Sequence, residues 1–241
     1  MSVKKYSYEA QGFFRTALAL RRMMRESDYD KADVEDAATV EFAFNRSRWG
    51  RKIARWDLLA HEVAAASPEA ADLMKKRIRL PALDVDALAA LPAGTFGHEF
   101  AVHALERGIS PNPVETMPAP NDGDWLMAYM YETHDLWHVL TGFYYDIQGE
   151  FGVAGFYMGQ MPKFSFIAFF SSLLMIRAVW NDRDIIPELV NAFVEGHNMG
   201  RNARCLVGLD WSTIYDSDLA ELRTEWGVQE AGKFPALLKA A

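Results

Sequence analysis

Histidine and carboxylate side chains are concentrated in one apolar stretch of the chain, YETHDLWHVLTGFYYDIQGE, at residues 131–150. His134 and His138 are four residues apart, a spacing that places both imidazoles on one face of a helix. Asp135 lies three residues before His138 and borders the same face, and Glu150 follows His138 by twelve residues. Because imidazoles and carboxylates bind divalent transition metals, this segment predicts a metal site.

Asp135 leaves two roles open. The histidine spacing is that of the HExxH helix of zinc proteases, with Asp135 at the position of the general-base glutamate. An aspartate is one methylene shorter, so it is equally suited to bind the ion or to act as the catalytic group that moves a proton. The alternative is that both histidines are ordinary polar residues of an amphipathic helix without a metal, with one of them hydrogen-bonded to Asp135.

Glu150 requires a break in the helix before it can join the same site. On a straight helix, twelve residues advance about 18 Å along the axis. Metal–ligand bonds are only about 2.0–2.2 Å long. Gly142 and Gly149 flank the intervening residues and predict that the chain turns back there. Glu150 would then open the next helix, where the N-terminal dipole favours its negative charge.

The ligand types do not select one ion. Two histidines and two carboxylates suit Zn²⁺, Fe²⁺, Mn²⁺ or Co²⁺. Four side chains together would close a tetrahedral zinc site, whereas a larger coordination number would leave positions for water or substrate.

Helical periodicity dominates the elements that must position these residues, and strand alternation is weak throughout. We therefore predict an all-α fold in one domain that spans residues 1–241. Asp122 or Asp124 is expected to cap the helix that carries the two histidines. After the motif, the pattern predicts helices at residues 149–160, 163–180 and 184–203.

Composition excludes several classes of protein. The chain has 241 residues, a formal net charge of −8 and a pI of about 5.3, which argues against a nucleic-acid partner. The single cysteine, Cys205, excludes an internal disulfide framework and fits a reducing compartment. We find no secretory signal at the N-terminus, because Arg15 interrupts its one apolar run.

The most apolar stretch, FSFIAFFSSLLMI at residues 164–176, is too short to span a membrane, which needs about 20 apolar residues. The preferred interpretation is a fully buried core helix. The alternative is a wall of a lipid pocket or a contact with one membrane leaflet.

Several segments resemble the coenzyme Q (ubiquinone) biosynthesis protein four family. The motif HDxxH followed by eleven residues and Glu resembles the signature of that family. Further similar segments are LPAGTFG (91–97), GISP (108–111), GQMP (159–162) and GLDWSTIYDSDLAELRTEWGV (208–228). Residues 91–228 thus look like the core of the family, whereas residues 1–90 form less recognisable N-terminal helices.

The resemblance implies an all-helical protein of ubiquinone biosynthesis with a divalent metal, usually zinc. Its ligands would be His134, Asp135, His138 and Glu150. The implied reaction is oxidative decarboxylation, which replaces the C1 carboxyl of a prenylated 4-hydroxybenzoate ring with a hydroxyl. The alternative is a non-catalytic scaffold that binds the prenylated lipid and organises other quinone-biosynthesis enzymes.

A prenylated quinone precursor needs an apolar lipid cavity. The candidate residues for its walls are apolar and lie after the motif: Phe151, Phe156, Tyr157, Met158, Phe164, Phe166, Phe169, Phe170, Leu173 and Leu174. The resemblance also implies peripheral membrane contact, for which the basic face of residues 15–25 is a candidate. We expect the cytoplasmic face of the membrane in a bacterium, or the matrix side of the mitochondrial inner membrane in a eukaryote, and we allow for a homodimer.

Overall fold

The structure, a computed structural model, describes residues 13–25, 31–107 and 117–232. Within these ranges the helices are α1 (Phe13–Arg25), α2 (Lys31–Arg46), α3 (Arg48–Ala54), α4 (Trp56–Ala66), α5 (Pro68–Lys76), α6 (Val85–Ala89), α7 (Phe96–Arg107), α8 (Asp122–Thr141), α9 (Ile147–Gln160), α10 (Ser165–Asn181), α11 (Ile186–Asn202) and α12 (Leu219–Trp226). Short 3-10 turns lie at Arg183–Ile185 and Trp211–Thr213.

The prediction of a single all-α domain is confirmed. The described residues form no strand, and their one strand-like pairing is an isolated bridge between Thr95 and Asp218. The helices predicted after the motif correspond to α9, α10 and α11, with boundaries within two residues. The GISP segment, residues 108–111, lies outside the described residues.

The helix that carries both histidines, α8, runs through the core. Most of its residues are buried, including Trp125 and Trp137, and it packs against α4, α5 and α7. The predicted cap is wrong by a few residues. Asn121, which keeps an extended backbone, accepts the Asp124 N–H at 2.9 Å, whereas Asp122 and Asp124 already lie in the first helical turn.

The predicted break after the motif is confirmed at one of the two glycines. α8 ends at Gly142, whose φ of 77° is the left-handed conformation that glycine favours at a helix end. The chain reverses and α9 begins at Ile147, with Asp146 accepting the Gly149 N–H at 2.8 Å. Gly149 is thus inside the new helix, and Glu150 lies in its first turn.

A close helix crossing fixes the direction of α9. Glycines on α9 meet glycines on α11 with their backbones in contact. A Cβ atom at Gly196 would lie 1.9 Å from the Gly152 carbonyl oxygen, and one at Gly155 would lie 2.1 Å from the Phe193 carbonyl oxygen. Such an approach is open only to residues without a side chain, so α9 is held rigidly against α11.

The apolar helix α10 is not fully buried, contrary to the preferred interpretation. Phe164, just before it, and Phe166 are buried, but Ile176, Val179 and Trp180 are exposed, with 78% of the Trp180 surface accessible. Hydrophobic composition alone does not distinguish a core helix from one with an open apolar side, which explains the error. Among the described residues, no helix is both long and apolar enough to span a bilayer.

Candidate metal centre

Three of the four predicted ligands lie together where α8 and α9 meet. The Nε2 atoms of His134 and His138 are 3.2 Å apart. The carboxylate of Glu150 lies 3.2 Å from His134 Nε2 through Oε2 and 3.4 Å from His138 Nε2 through Oε1. One ligand atom from each of these three residues lies within 4.8 Å of the other two.

The spacing of the two imidazole nitrogens is that of neighbouring ligands on one metal ion. Bonds of about 2.0–2.1 Å at tetrahedral angles place neighbouring ligand atoms about 3.3 Å apart. The two imidazole nitrogens are 3.2 Å apart, close to this value, whereas the carboxylate contacts of 3.2 and 3.4 Å are made by different oxygens of Glu150. A three-residue set of this kind leaves at least one position open, which is the arrangement of a catalytic rather than a structural zinc site.

The other nitrogen of each imidazole has its own partner. His134 Nδ1 lies 3.1 Å from the Tyr157 hydroxyl, and His138 Nδ1 lies 3.2 Å from the Phe143 carbonyl oxygen. A carbonyl only accepts, so His138 donates from Nδ1, and in the neutral imidazole its Nε2 keeps a lone pair. Outer-shell contacts of this type orient the rings of metal-binding histidines.

Tyr145, in the loop between α8 and α9, supports the site from a third side. Its ring stacks on His138 with the centroids 4.3 Å apart, and its hydroxyl donates to the Asp135 carbonyl oxygen at 2.8 Å. His103 of α7 packs against the same tyrosine ring. The loop thus fixes the His138 ring against rotation.

The charges of the site favour a cation. Burial raises the pKa of Glu150, but the opposing charges and hydrogen bonds of His134 and His138 outweigh it and hold that pKa well below the usual range. Burial lowers the pKa of His134, yet the charge and hydrogen bond of Glu150, with the charge of Asp135, raise it to about 9. Acids that stabilise a proton on His134 would equally stabilise a metal ion in its place.

Asp135 is placed differently from the other three. Its carboxylate is not among the ligand atoms that lie within 4.8 Å of one another, which come from His134, His138 and Glu150. Burial raises the pKa of Asp135, and the charges of the two histidines oppose that effect. Its role as a ligand or as a proton carrier stays a prediction.

The site opens to solvent on one side. His138 has no exposed side-chain surface, whereas 35% of the His134 side chain and 39% of the Glu150 side chain are accessible. A ligand that entered from this side would meet the two accessible side chains directly.

Two residues beside the site were not predicted in this role. Tyr157, which the sequence analysis placed in the wall of a lipid cavity, is the hydrogen-bond partner of His134. It lies seven residues after Glu150, two turns along the same helix. That spacing could have indicated from the sequence that Tyr157 lies on the same face as Glu150. Glu41 of α2 influences the pKa of His134 from a distant part of the chain, and nothing in its local sequence indicates this.

Comparison with known proteins identifies the family that this chain resembles. The family model described as "Coenzyme Q (ubiquinone) biosynthesis protein Coq4" matches residues 60–232. A mitochondrial ubiquinone biosynthesis protein of Coprinopsis cinerea is 26% identical over 172 residues, which cover 68% of this chain and 56% of the relative. A mitochondrial homologue of Bos taurus is 30% identical over 172 residues, which cover 68% of this chain and 62% of the relative.

The curated relatives are longer proteins, since the chain spans about half of the length of those it matches. A crystal structure of a Nostoc punctiforme protein, provisionally named as a ubiquinone biosynthesis protein, superposes with a TM-score of 0.72. It covers 90% of this chain and 98% of its own at 23% identity, a likeness that shows the fold alone.

Proposed function

Because this chain belongs to the coenzyme Q (ubiquinone) biosynthesis protein Coq4 family, we propose that it is a metal-dependent enzyme that modifies the ring of a prenylated quinone precursor. The substrate class is a prenylated 4-hydroxybenzoate, and the reaction is oxidative decarboxylation with hydroxylation at C1. The observation that carries the proposal is the cluster of His134, His138 and Glu150, whose ligand atoms lie within 4.8 Å of one another beside a solvent-accessible opening.

The proposed reaction balances with dioxygen and a two-electron donor. The bond between C1 and the carboxyl carbon breaks, and the carboxyl group leaves as carbon dioxide. One oxygen atom of dioxygen becomes the new C1 hydroxyl. The other leaves as water, after accepting two electrons from the reductant and two protons.

The protein supplies ligands and a nearby acid. His134, His138 and Glu150 would hold the ion, with Zn²⁺, Fe²⁺, Co²⁺ and Mn²⁺ all compatible with these donors. A bound divalent ion supplies Lewis-acid stabilisation of negative charge on the substrate carboxylate. Asp135, adjacent on α8, is the proposed catalytic group that holds or moves a substrate proton, or else a fourth ligand.

We assign the apolar residues around α10 to binding of the prenyl tail and to contact with the membrane from which the substrate comes. Part of this helix is only half-buried, including Phe169, Phe170 and Leu173, and these side chains are the proposed walls for a prenyl tail. The exposed Trp180 and the exposed Arg21 and Arg22 of α1 suit contact with an anionic membrane surface. The proposed location is the membrane side where quinone synthesis occurs, together with other enzymes of that pathway.

Metal loading and turnover test the proposal together. The purified chain is loaded separately with zinc, iron(II), cobalt(II) or manganese(II) and incubated with 3-geranyl-4-hydroxybenzoate, dioxygen and a reductant. We expect one ion per chain and a product that has lost carbon dioxide and gained a hydroxyl. His134→Ala should abolish both, whereas His61→Ala, at an exposed histidine, should retain both.

The same variants separate the enzyme from a scaffold. The exposed apolar side of α10 is the observation that favours a docking role for partner proteins. A folded His134→Ala protein without turnover supports the enzyme. A His134→Ala protein that fails to fold indicates a structural metal, and a metal-loaded wild type inactive with every ion and reductant rejects the enzymatic function.

A further inference from the structure

The C-terminal end of α8 is closed by residues from a distant part of the chain. A helix leaves its last carbonyl groups without a partner inside the helix, so a buried helix end needs other donors. The Arg223 guanidinium of α12 donates from Nε to the Leu140 carbonyl oxygen and from Nη2 to the Val139 carbonyl oxygen, both at 2.9 Å. The Ala231 N–H donates to the Thr141 carbonyl oxygen at 2.8 Å. The carbonyl groups of the last three residues of α8 are thus all bound from outside the helix.

This end of α8 also sets the direction of one candidate ligand. His138 immediately precedes the residues that Arg223 holds, and its own carbonyl oxygen accepts the Gly142 N–H at 2.9 Å. The His138 Nδ1 atom lies 3.2 Å from the Phe143 carbonyl oxygen, just beyond the end of the helix. The direction in which His138 Nε2 points therefore depends on the backbone path from residue 138 to residue 143.

The Arg223 side chain is itself held in place. It extends from α12, which buries Leu222 and Trp226 in the core, and only 14% of the Arg223 side chain is exposed. Its Nη1 atom lies 3.3 Å from Glu230 Oε2, so a third nitrogen of the guanidinium is also bound. The segment around Glu230 packs closely on the turn, since a Cβ atom at Gly142 would lie 2.7 Å from Glu230 Cγ. The guanidinium thus reaches α8 from a fixed support.

We propose that Arg223 is a positioning residue for metal binding, which holds the last turn of α8 so that the Phe143 carbonyl keeps the His138 imidazole aimed at the ion. This inference rests on the proposed function, because it assumes a metal ion bound by the candidate ligands. Arg223 acts through the backbone, since its two hydrogen bonds to α8 go to the residues that follow His138 and not to the imidazole.

A guanidinium group suits this role better than other side chains. Its rigid fork of N–H groups can bind two neighbouring carbonyl oxygens at once. The C-terminal end of a helix also carries partial negative charge, which favours a cation there. Without Arg223, the carbonyl groups of the buried residues Val139 and Leu140 would lose their donors, and the last turn would loosen. Lysine keeps the charge but has no fork, so it can replace only part of the contact.

Zinc affinity and the absorption spectrum of the cobalt(II)-loaded protein test this role without turnover. Zinc affinity of the full-length chain is measured by competition against a chromophoric chelator, and the ligand-field bands of bound cobalt(II) report the arrangement of its ligands. Arg223→Met removes the charge and the donors but keeps an unbranched side chain. Its zinc affinity should fall about tenfold or more, and its cobalt(II) bands should differ from those of the wild type. Arg223→Lys should lie between the wild type and Arg223→Met in both measurements.

Arg77→Met is the matched control at the opposite end of α8. Arg77 donates to the Met74 carbonyl oxygen at 2.5 Å and to Asp122 Oδ1 at 2.7 Å. Its replacement also removes an arginine that binds a carbonyl group at a helix end, but Asp122 lies twelve residues before His134. This variant should keep the wild-type zinc affinity and cobalt(II) spectrum, whatever its melting temperature.

The possible results separate this inference from the proposed function. A folded Arg223→Met protein with the zinc affinity and cobalt(II) spectrum of the wild type overturns the role of Arg223 alone. An equal loss of zinc affinity in Arg77→Met does the same, because it would show a general effect of stability. If Arg223→Met does not fold, Arg223→Lys decides, and wild-type values in that variant overturn the role. A wild-type chain that binds neither zinc nor cobalt(II) overturns the proposed function itself.

Discussion

Lowering the pH from 9 to 7 should weaken zinc binding about 50-fold, because the ion must displace a proton from His134. Burial lowers the pKa of this histidine, but the charge and hydrogen bond of Glu150 outweigh burial and raise the pKa to about 9. Above that pH the imidazole is already neutral, and the affinity levels off. Below it, one proton is released for each ion bound, so affinity falls about tenfold per pH unit.

The assay is competition against a chromophoric zinc chelator whose own protonation is known at each pH. Glu150→Gln removes the main group that raises the pKa of His134, so it should bind zinc more weakly overall and show a flatter pH dependence in this range. Glu225→Gln, at an exposed site, should keep the wild-type slope. A wild-type affinity that is constant from pH 7 to 9, or a Glu150→Gln slope equal to that of the wild type, refutes the reasoning.

Two further substitutions probe the support of the site. Tyr157→Phe removes the hydroxyl beside His134 Nδ1 and keeps the ring. Zinc affinity should then fall about 10- to 100-fold with little change in melting temperature. An unchanged zinc affinity would mean that the hydroxyl does not orient the imidazole. Gly196→Ala places a Cβ atom 1.9 Å from the Gly152 backbone oxygen, so it should lower the free energy of unfolding by about 1–3 kcal/mol or more in chemical denaturation. The control is Gly232→Ala, whose new Cβ atom would have its nearest contact at 3.7 Å and which should be close to neutral. Equal stability of these two alanine variants would contradict the rigid crossing of α9 and α11.

The clustering of the candidate ligands could be predicted from sequence because it depends on local geometry. Helical spacing alone places the imidazoles of His134 and His138 side by side, and Gly142 marks the break that returns Glu150 to them. The direction of the Asp135 side chain was not decided by the same pattern. It borders the metal-binding face, and which way it points depends on packing from other helices.

The remainder of the site depends on contacts between distant segments. Asn45 donates a hydrogen bond to the Tyr131 hydroxyl only because α2 packs beside α8, and no periodicity within α2 encodes that neighbour. The prediction that α10 is fully buried was wrong for a related reason. An apolar run shows that a helix is hydrophobic but not which of its sides other helices cover. The exposed Trp180 is visible only once the neighbouring helices are placed.

The candidate ligands and the residues of α2 near them therefore come from different regions of the chain. The three candidate ligands lie within residues 60–232, the region that the Coq4 family model matches, whereas Glu41 and Asn45 precede it. Family membership alone thus supports an expectation about metal chemistry but carries none about Glu41. Substitutions among the candidate ligands should therefore abolish zinc binding, whereas substitutions in α2 should leave zinc affinity near that of the wild type. Measuring zinc affinity on each variant tests this expectation, and a Glu41→Gln protein that loses zinc as severely as His134→Ala would show that the two regions are not independent.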